Sequence, residues 1–175
     1  MNIRTLTTLP EIKPFFPMLG HAEYSAFDLQ NPSHSAWLQT RVDKLLYCGA
    51  FFFAMFSDYN RPCAIASVLI DERPIELGGH WQSAEIMQMA VSEELRKQGH
   101  GSRLIQHICM EMQKQRVYSI SLHTYPADYD VIAFYGKNDF MPCGLVPDHY
   151  GPNLEGKLYL RKVLLPVETR VKQTT

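Results

Sequence analysis

The apolar and polar positions of this chain predict a central strand followed by a turn and an amphipathic helix. Residues 84–91 are apolar except at Glu85 and Gln88, a pattern that favours a strand buried on both faces. Further along, apolar residues return at three- and four-residue steps, which is the period of a helix. These residues are Leu104, Ile105, Ile108, Cys109 and Met112. We therefore expect this helix to begin at Ser102.

Strands and helices are predicted to alternate along the rest of the chain. Apolar runs predict strands at residues 2–8, 50–56, 63–70, 117–123, 140–145 and 157–164. Helical spacing and capping residues predict helices at residues 10–19, after Asn31 and at 129–138. Trp37 is expected in the core, residues 73–82 in a loop and residues 166–175 in a frayed tail. This order is typical of a mixed α/β protein of the α+β type.

Composition narrows the class of protein. A chain of 175 residues with 46% hydrophobic and 20% charged residues is expected to form one globular domain. A net charge of −1 without a basic run argues against nucleic acid or a membrane as partner. Four scattered cysteines argue against a metal site and for a reducing compartment. Since no apolar run resembles a signal peptide or a membrane span, we expect a cytoplasmic protein.

The segment between the central strand and its helix has the features of a pyrophosphate site. A helix N-terminus carries unpaired N–H groups and a partial positive charge. Gly99 and Gly101 would let a phosphate approach the backbone there, and Arg96 and Lys97 stand just before them to attract it. The alternative is a tight turn between strand and helix that binds no ligand.

Two other classes of nucleotide site fit this segment poorly. A Walker loop requires Lys followed by Ser or Thr after the second glycine, where Ser102 and Arg103 stand. A dinucleotide fingerprint requires a third small residue, where Leu104 stands. A nucleotide-binding α/β protein is therefore a weak alternative.

The spacing of four residues in this segment resembles a known cofactor loop. Four residues separate Val91 from Arg96, two separate Arg96 from Gly99, and one separates Gly99 from Gly101. This spacing resembles the acetyl-CoA pyrophosphate loop of the GNAT superfamily of N-acetyltransferases. The strand before the glycines is similar to a motif of the histone acetyltransferase branch, because it contains Glu85-Ile86 and Ala90-Val91 at the same spacing. The resemblance covers about residues 83–140.

Residues 133–140 resemble the second signature of the same superfamily. There a helix ends in an aromatic pair, here Phe134-Tyr135, followed by three residues, a turn residue and a phenylalanine, here Phe140. Asp139 occupies the turn position where the family usually has Gly. The position requires a left-handed backbone, which Asp tolerates better than most residues.

The resemblance implies a fold, a reaction and a cofactor. The implied fold is a mixed, mostly antiparallel sheet flanked by helices, and the reaction moves an acetyl group from acetyl-CoA to a primary amine without a metal. A single domain is expected, with a helical acceptor-side segment at 1–49, an acetyl-CoA-binding core at 50–145, and a loop, strand and tail at 146–175. The residues assigned to cofactor binding are Met89, Ala90, Val91, Arg96, Lys97, Gln98, Gly99, His100, Gly101, Ser102 and Asp128.

Glu85 and Tyr135 are the candidate catalytic residues. On an ideal strand, Glu85 shares a face with Met87 and Met89, and apolar neighbours should raise its pKa and suit it as a general base. The resemblance implies that Tyr135 protonates the departing thiolate. The alternatives are a solvated or paired carboxylate and a core tyrosine. His100 is expected to face solvent, and His123 is expected to be an ordinary strand residue.

The acceptor amine is not specified by these patterns. A protein lysine, a protein N-terminus and a small amine are all compatible, with the histone-branch similarity favouring a lysine. Asp128, Tyr125 and His80-Trp81 are expected at the mouth of the acceptor site. The alternative from another class is a non-catalytic acyl-CoA-binding sensor or partner-binding module. Either a monomer or a homodimer is compatible.

Overall fold

The computed structural model describes residues 1–24, 26–71, 82–152 and 154–165. The loop predicted at 73–82 with His80 and Trp81, except for Gln82, and the tail predicted at 166–175 lie outside the described residues. The chain divides into two compact units. The first unit comprises Met1–Ile70 and Ile86–Ile108, and the second unit comprises Asp71–Glu85 and Cys109–Thr175. The single domain with its three segments stays a prediction.

The described residues contain the helices and strands of the mixed α/β class that was predicted. The strands are β1 Asn2–Leu6, β2 Phe51–Phe56, β3 Pro62–Asp71, β4 Ser83–Val91, β5 Ser119–Thr124, β6 Met141–Val146 and β7 Lys157–Val163. The helices are α1 Leu9–Ile12, α2 Phe16–Glu23, α3 Pro32–Tyr47, α4 His100–Lys114 and α5 Tyr129–Gly136, with short 3-10 turns at Lys13–Phe15 and Glu93–Leu95. In hydrogen-bonding order the strands run β1-β2-β3-β4-β5-β7-β6.

The sheet is mostly antiparallel, as expected. β1 pairs with β2, β2 with β3, β5 with β7 and β6 with β7 in antiparallel register. The first three residues of β4 pair with β5 in parallel register, with Glu85 opposite Ser121. This parallel pair requires a long crossover, which α4 supplies in the sequence between the two strands.

The first unit encloses an apolar core between its helices and strands. Phe15 and Phe56 meet edge to face at 5.2 Å, and α1, α2 and α3 contribute further apolar side chains. The core residues include Ile12, Leu19, Phe27, Leu38, Val42, Phe52, Ala54, Ile65 and Ala90. Of the three consecutive phenylalanines of β2, Phe52 lies in this core. Phe51 and Phe53 lie on the opposite face of the strand, where their rings stack at 6.2 Å.

Helix α3 shows why one core prediction was wrong. The Asn31 side chain accepts a hydrogen bond from the Ser33 N–H at 3.0 Å and caps the helix as predicted. Leu38 and Val42 are fully buried, whereas Trp37 is 45% exposed. With 3.6 residues per turn, Trp37 lies about 100° around the helix from Leu38, outside the buried face.

Two further expectations about the central elements were wrong. β4 alternates between fully buried even-numbered residues and half-buried odd-numbered residues, so only one face is fully buried. Helix α4 begins at His100 rather than Ser102, which places Gly101 and Ser102 inside its first turn.

In the second unit, the end of α5 has the predicted left-handed geometry. Asp139 has a φ of 66°, and Phe140 directly after it is buried. The Lys162 Nζ group donates hydrogen bonds to the Asn138 carbonyl at 2.9 Å and to the Asp139 carboxylate at 3.1 Å. These bonds stabilise a backbone conformation that an aspartate adopts at some cost.

We predict that Gly20→Ala destabilises the first unit. A Cβ at Gly20 would overlap the ring of Phe27, which is buried. Because overpacking forces neighbours to move, the free energy of unfolding should fall by about 1–3 kcal/mol, measured by urea unfolding followed by circular dichroism. Gly136→Ala is the matched control, since its Cβ would meet no atom within 4 Å. A Gly20→Ala protein as stable as the parent would contradict the packing described here.

Candidate active site

The predicted cofactor loop forms a tight turn between β4 and α4 within the first unit. After β4 ends at Val91, the 3-10 turn Glu93–Leu95 reverses the chain. The Arg96 Nε group donates a hydrogen bond back to the Val91 carbonyl at 3.2 Å. This bond explains the spacing of these two residues, because it fixes the loop at the end of its strand.

The backbone of this loop is left-handed at two positions immediately before α4. Lys97 has a φ of 60° and Gly99 a φ of 83°. The Arg103 N–H bonds to the Gly99 carbonyl at 3.0 Å, which closes the first turn of α4. The N–H groups of the residues before Arg103 therefore point out of the helix end, where they can bind an anion.

The space next to this helix end fits a phosphate group. A Cβ added at Gly99 would meet no atom within 4 Å, so the backbone is open to an approaching ligand. Lys97 lies exposed beside it, and His100 and Ser102 are half-buried in the first turn. These residues fit the pyrophosphate of acetyl-CoA, which carries negative charge where the helix carries partial positive charge.

His100 differs from its predicted role. The residue is half-buried rather than facing solvent, and its Nδ1 atom is buried without a hydrogen-bond partner among the described residues. The expectation that His100 faces solvent was therefore wrong.

Glu85 shares a face of β4 with Met87 and Met89, as predicted, but this face is only half-buried. There Glu85 meets a partner that the sequence did not reveal. Its side chain accepts a hydrogen bond from His123 Nδ1 on β5, at 2.9 Å between Nδ1 and Oε1. Both groups belong to the second unit, and their side chains are 36% and 25% exposed. Because a carboxylate can only accept, the proton of this bond is carried by Nδ1.

The pKa of Glu85 is lowered, and the predicted increase was wrong. The hydrogen bond from His123 is the largest cause, and the charges of His123 and Lys157 act in the same direction. Desolvation and the charge of Asp71 raise the pKa but do not outweigh this bond. The prediction considered only the apolar neighbours along β4, whereas the dominant neighbour comes from the adjacent strand.

Tyr135 is 7% exposed near the end of α5. Its ring lies 5.0 Å from Phe134 and 5.4 Å from Phe140, both in edge-to-face contact. Burial raises the pKa of its hydroxyl, which therefore keeps its proton at neutral pH. A protonated hydroxyl is what a general acid requires, and it is equally what a core tyrosine would have.

Asp128 occupies the N-cap position of α5 without capping it through its side chain. Its carboxylate instead accepts a hydrogen bond from the Thr124 hydroxyl at 3.1 Å, which ties the end of β5 to the start of α5. The Asp128 side chain therefore joins β5 to α5 rather than capping the helix. Tyr125, one residue after β5, lies 5.4 Å from Tyr150 between ring centres.

The structure thus brings together two groups of the predicted site residues. Within the first unit, β4 and the loop to α4 hold the residues assigned to the cofactor, from Met89 to Ser102. Within the second unit, Glu85 meets His123, and Asp128 meets Thr124. The sequence analysis did not identify His123 as the partner of Glu85. The sequence shows only a histidine on another predicted strand, and the register between the two strands cannot be read from it.

Two negative findings concern the described ranges. No group of three or more His, Cys, Asp or Glu side chains in them could hold a metal ion. No helix in these same ranges is long and apolar enough to cross a membrane.

Comparison with known proteins gives a family match over most of the chain. The model described as the acetyltransferase (GNAT) family matches residues 20–140. This range includes β4, the loop, α4, β5 and α5. No curated protein sequence matches the chain.

Solved structures share the fold at low sequence identity. The ribosomal-protein-S18-alanine N-acetyltransferase of Escherichia coli is 17% identical, with a TM-score of 0.71 and 95% of each chain covered. A Bacillus subtilis acetyltransferase in complex with CoA is 19% identical, with a TM-score of 0.69, 94% of this chain and 99% of that chain covered. An aminoglycoside 6'-N-acetyltransferase complexed with coenzyme A is 14% identical, with a TM-score of 0.69, 95% of this chain and 98% of that chain covered.

We predict that His123→Phe raises the pKa of Glu85. The substitution keeps a ring on β5 but removes the hydrogen bond that stabilises the carboxylate. A carboxyl whose pKa is lowered in the folded protein stabilises the fold at pH values above its ordinary pKa of 4.5. This stabilisation is lost as the pH falls through the lowered pKa. The variant should lose that contribution, and an NMR titration of the Glu85 carboxyl carbon measures the change directly.

His149→Phe is the control for this prediction. His149 is exposed in the same unit and packs against Tyr150 at 4.8 Å between ring centres. It should leave the Glu85 titration unchanged. An unaltered Glu85 pKa in His123→Phe would show that this bond does not govern the carboxylate.

Proposed function

This chain belongs to the GNAT family of acetyltransferases, and we propose that it transfers an acetyl group from acetyl-CoA directly to a primary amine. The observation that carries the proposal is the loop from Val91 to the start of α4. Its left-handed turn at Gly99 leaves backbone N–H groups facing open space at a helix N-terminus. Such a helix end suits an anionic pyrophosphate.

Residues of the first unit are proposed to hold the cofactor. The loop from Arg96 to Ser102 would bind the pyrophosphate through its backbone, with Lys97 adding positive charge. The backbone of Met89, Ala90 and Val91 on β4 would bind the amides of the pantetheine arm as an added strand does. Acetyl-CoA, the co-substrate, supplies an activated acetyl thioester when bound.

The reaction needs the acceptor amine in its neutral form. An alkyl ammonium group has a pKa near 10.4, so deprotonating it at pH 7 costs about 4–5 kcal/mol. Glu85 is the proposed general base, accepting this proton directly or through a water molecule. Its lowered pKa makes it a weaker base than expected but keeps it ionised, so that it also attracts the ammonium form of the acceptor.

Tyr135 is the proposed general acid for the departing thiolate. Burial raises the pKa of its hydroxyl, so the proton is present at the pH of the reaction. A thiol has a pKa near 8.5, so its thiolate leaves without much assistance, and this role matters less than that of the base. Asp128 is the proposed contact of the pantetheine arm in the second unit.

The acceptor is proposed only as a primary amine. The structural neighbours are described as acting on an alanine of a ribosomal protein and on an aminoglycoside, so a shared fold does not select one acceptor. A protein lysine, a protein N-terminus and a small amine stay open for this chain. We propose a cytoplasmic protein, monomeric or homodimeric, without nucleic acid, membrane or metal as partner.

We predict that Ser102→Asp weakens acetyl-CoA binding. A carboxylate in the first turn of α4 would repel the pyrophosphate, although the same charge favours the helix itself. The dissociation constant of acetyl-CoA, measured by calorimetry, should rise by about tenfold or more, the cost of opposing one charge-assisted hydrogen bond.

Ser33→Asp is the matched control, because it places the same charge in the first turn of α3, where Ser33 is exposed. Binding should be unchanged in this variant, and both variants should keep the melting temperature of the parent. If the Ser102→Asp variant and the parent protein bound acetyl-CoA with equal affinity, this loop would not be part of the cofactor site.

We predict that Glu85→Gln reduces turnover without changing acetyl-CoA affinity. Loss of a general base should lower kcat by about 100-fold at pH 7. Activity should recover by about tenfold for each pH unit up to the pKa of the amine, because the solvent then supplies the neutral acceptor. Thiol release with a panel of amines and lysine peptides measures both effects.

Glu155→Gln, an exposed carboxylate of the second unit, is the control and should retain full activity. A Glu85→Gln enzyme with unchanged kcat and pH profile would exclude Glu85 as the base. If the parent protein binds acetyl-CoA but transfers the acetyl group to none of the amines, the chain is better explained as a non-catalytic acyl-CoA sensor than as the proposed enzyme.

A further inference from the structure

A small cavity lies beside α3 in the first unit, away from the cofactor loop in sequence. Its volume is about 240 Å³, and all of its walls come from α3 and β4. The lining residues are Trp37, Thr40, Arg41, Lys44, Leu45 and Met87. None of the residues assigned above to catalysis or to acetyl-CoA is among them.

The charged groups that line this cavity are both cations. Arg41 forms an ion pair with Glu23 and donates a hydrogen bond to it from Nη2 at 3.2 Å, which fixes the guanidinium in place and offsets its charge. The Lys44 ammonium group makes no hydrogen bond or ion pair with any residue in the described ranges. A fixed guanidinium and an uncompensated ammonium suit a bound anion, for which planar carboxylates are the common partner.

Glu23 is itself held from a second side. It accepts a hydrogen bond from Gln88 Nε2 at 3.0 Å, and Gln88 is 5% exposed. The chain Gln88–Glu23–Arg41 therefore orients the guanidinium from the buried side of the first unit. Such preorganisation reduces the entropy that a ligand must overcome on binding.

Apart from Thr40, whose hydroxyl donates a hydrogen bond to the Ala36 carbonyl at 2.8 Å, the remaining walls are apolar. Leu45 is buried and Met87 half-buried, and together they form apolar surface next to the cations. Trp37 is 45% exposed and presents its indole at the cavity. An exposed indole beside apolar surface is suited to covering the face of a flat ligand.

The volume selects a small occupant. Pockets for drug-sized ligands hold about 300–1,000 Å³, and this cavity is smaller. We propose that the cavity binds a small organic carboxylate of amino-acid size, with its flat apolar body on Trp37 and Met87 and its carboxylate at Lys44 and Arg41. This inference goes beyond the proposed acetyl transfer and does not depend on it.

The test uses the whole 175-residue chain without acetyl-CoA, and three ring compounds of matched shape. Benzoate, benzamide and benzylamine are titrated while the indole N–H signal of Trp37 is followed by NMR, assigned by its loss in Trp37→Phe. Benzoate should bind at least about tenfold more tightly than benzamide, the effect of a charge-assisted contact. Benzylamine should not shift the signal.

Lys44→Gln should reduce the affinity for benzoate to that for benzamide. Lys13→Gln removes the same charge from an exposed position that does not line the cavity, and it should leave benzoate binding unchanged. Circular dichroism confirms that both variants fold. Three results would overturn the proposal: no benzoate binding, equal binding of benzoate and benzamide, or unchanged benzoate affinity in Lys44→Gln.

A second arm identifies the source of the carboxylate ligand. 4-(Aminomethyl)benzoate carries both a carboxylate and a primary amine, and it should compete with benzoate for the cavity. If it is acetylated in the presence of acetyl-CoA in a Lys44-dependent way, the cavity binds the acceptor. If it competes without being acetylated, the cavity binds a separate ligand. Failure to displace benzoate would contradict the proposed site.

Discussion

The alternation of side chains along β4 is the constraint on which the chemistry of this protein depends. Its even-numbered residues are buried, so residues that must meet a ligand can lie only on the odd-numbered face. Gln88 is the polar exception on the buried face, and its hydrogen bond to Glu23 offsets the cost of burying an amide. A shift of one residue in register would place Glu85 in the core, where an unpaired carboxylate is strongly disfavoured.

The bond between His123 and Glu85 changes what the carboxylate can do. Each unit of lowered pKa makes proton acceptance about 1.4 kcal/mol less favourable, so the bond makes Glu85 a weaker base. The same bond fixes the orientation of the carboxylate and keeps it charged. In the proposed reaction Glu85 would therefore act through position and charge at least as much as through basicity.

Features set by neighbours in sequence could be predicted, whereas features set by strand register could not. The turn at Gly99, the cap at Asn31 and the left-handed Asp139 follow from residues a few positions apart. The contact of Glu85 with His123 joins residues 38 positions apart, and no local pattern specifies it. The prediction that Trp37 is buried failed for a different reason. An apolar residue at the edge of the apolar face of a helix can be either buried or exposed to solvent.

The fold explains the donor of the acetyl group better than it explains the acceptor. In the proposed function, backbone groups at Gly99 and the start of α4 bind a pyrophosphate, and a backbone site constrains side chains less than a side-chain site does. An acceptor is recognised by side chains, and those change freely on the same framework, as the different acceptors named for the structural neighbours illustrate. What distinguishes this chain should therefore be sought in its exposed cationic and aromatic side chains, such as Trp37 and Lys44 on α3, rather than in its shared loop.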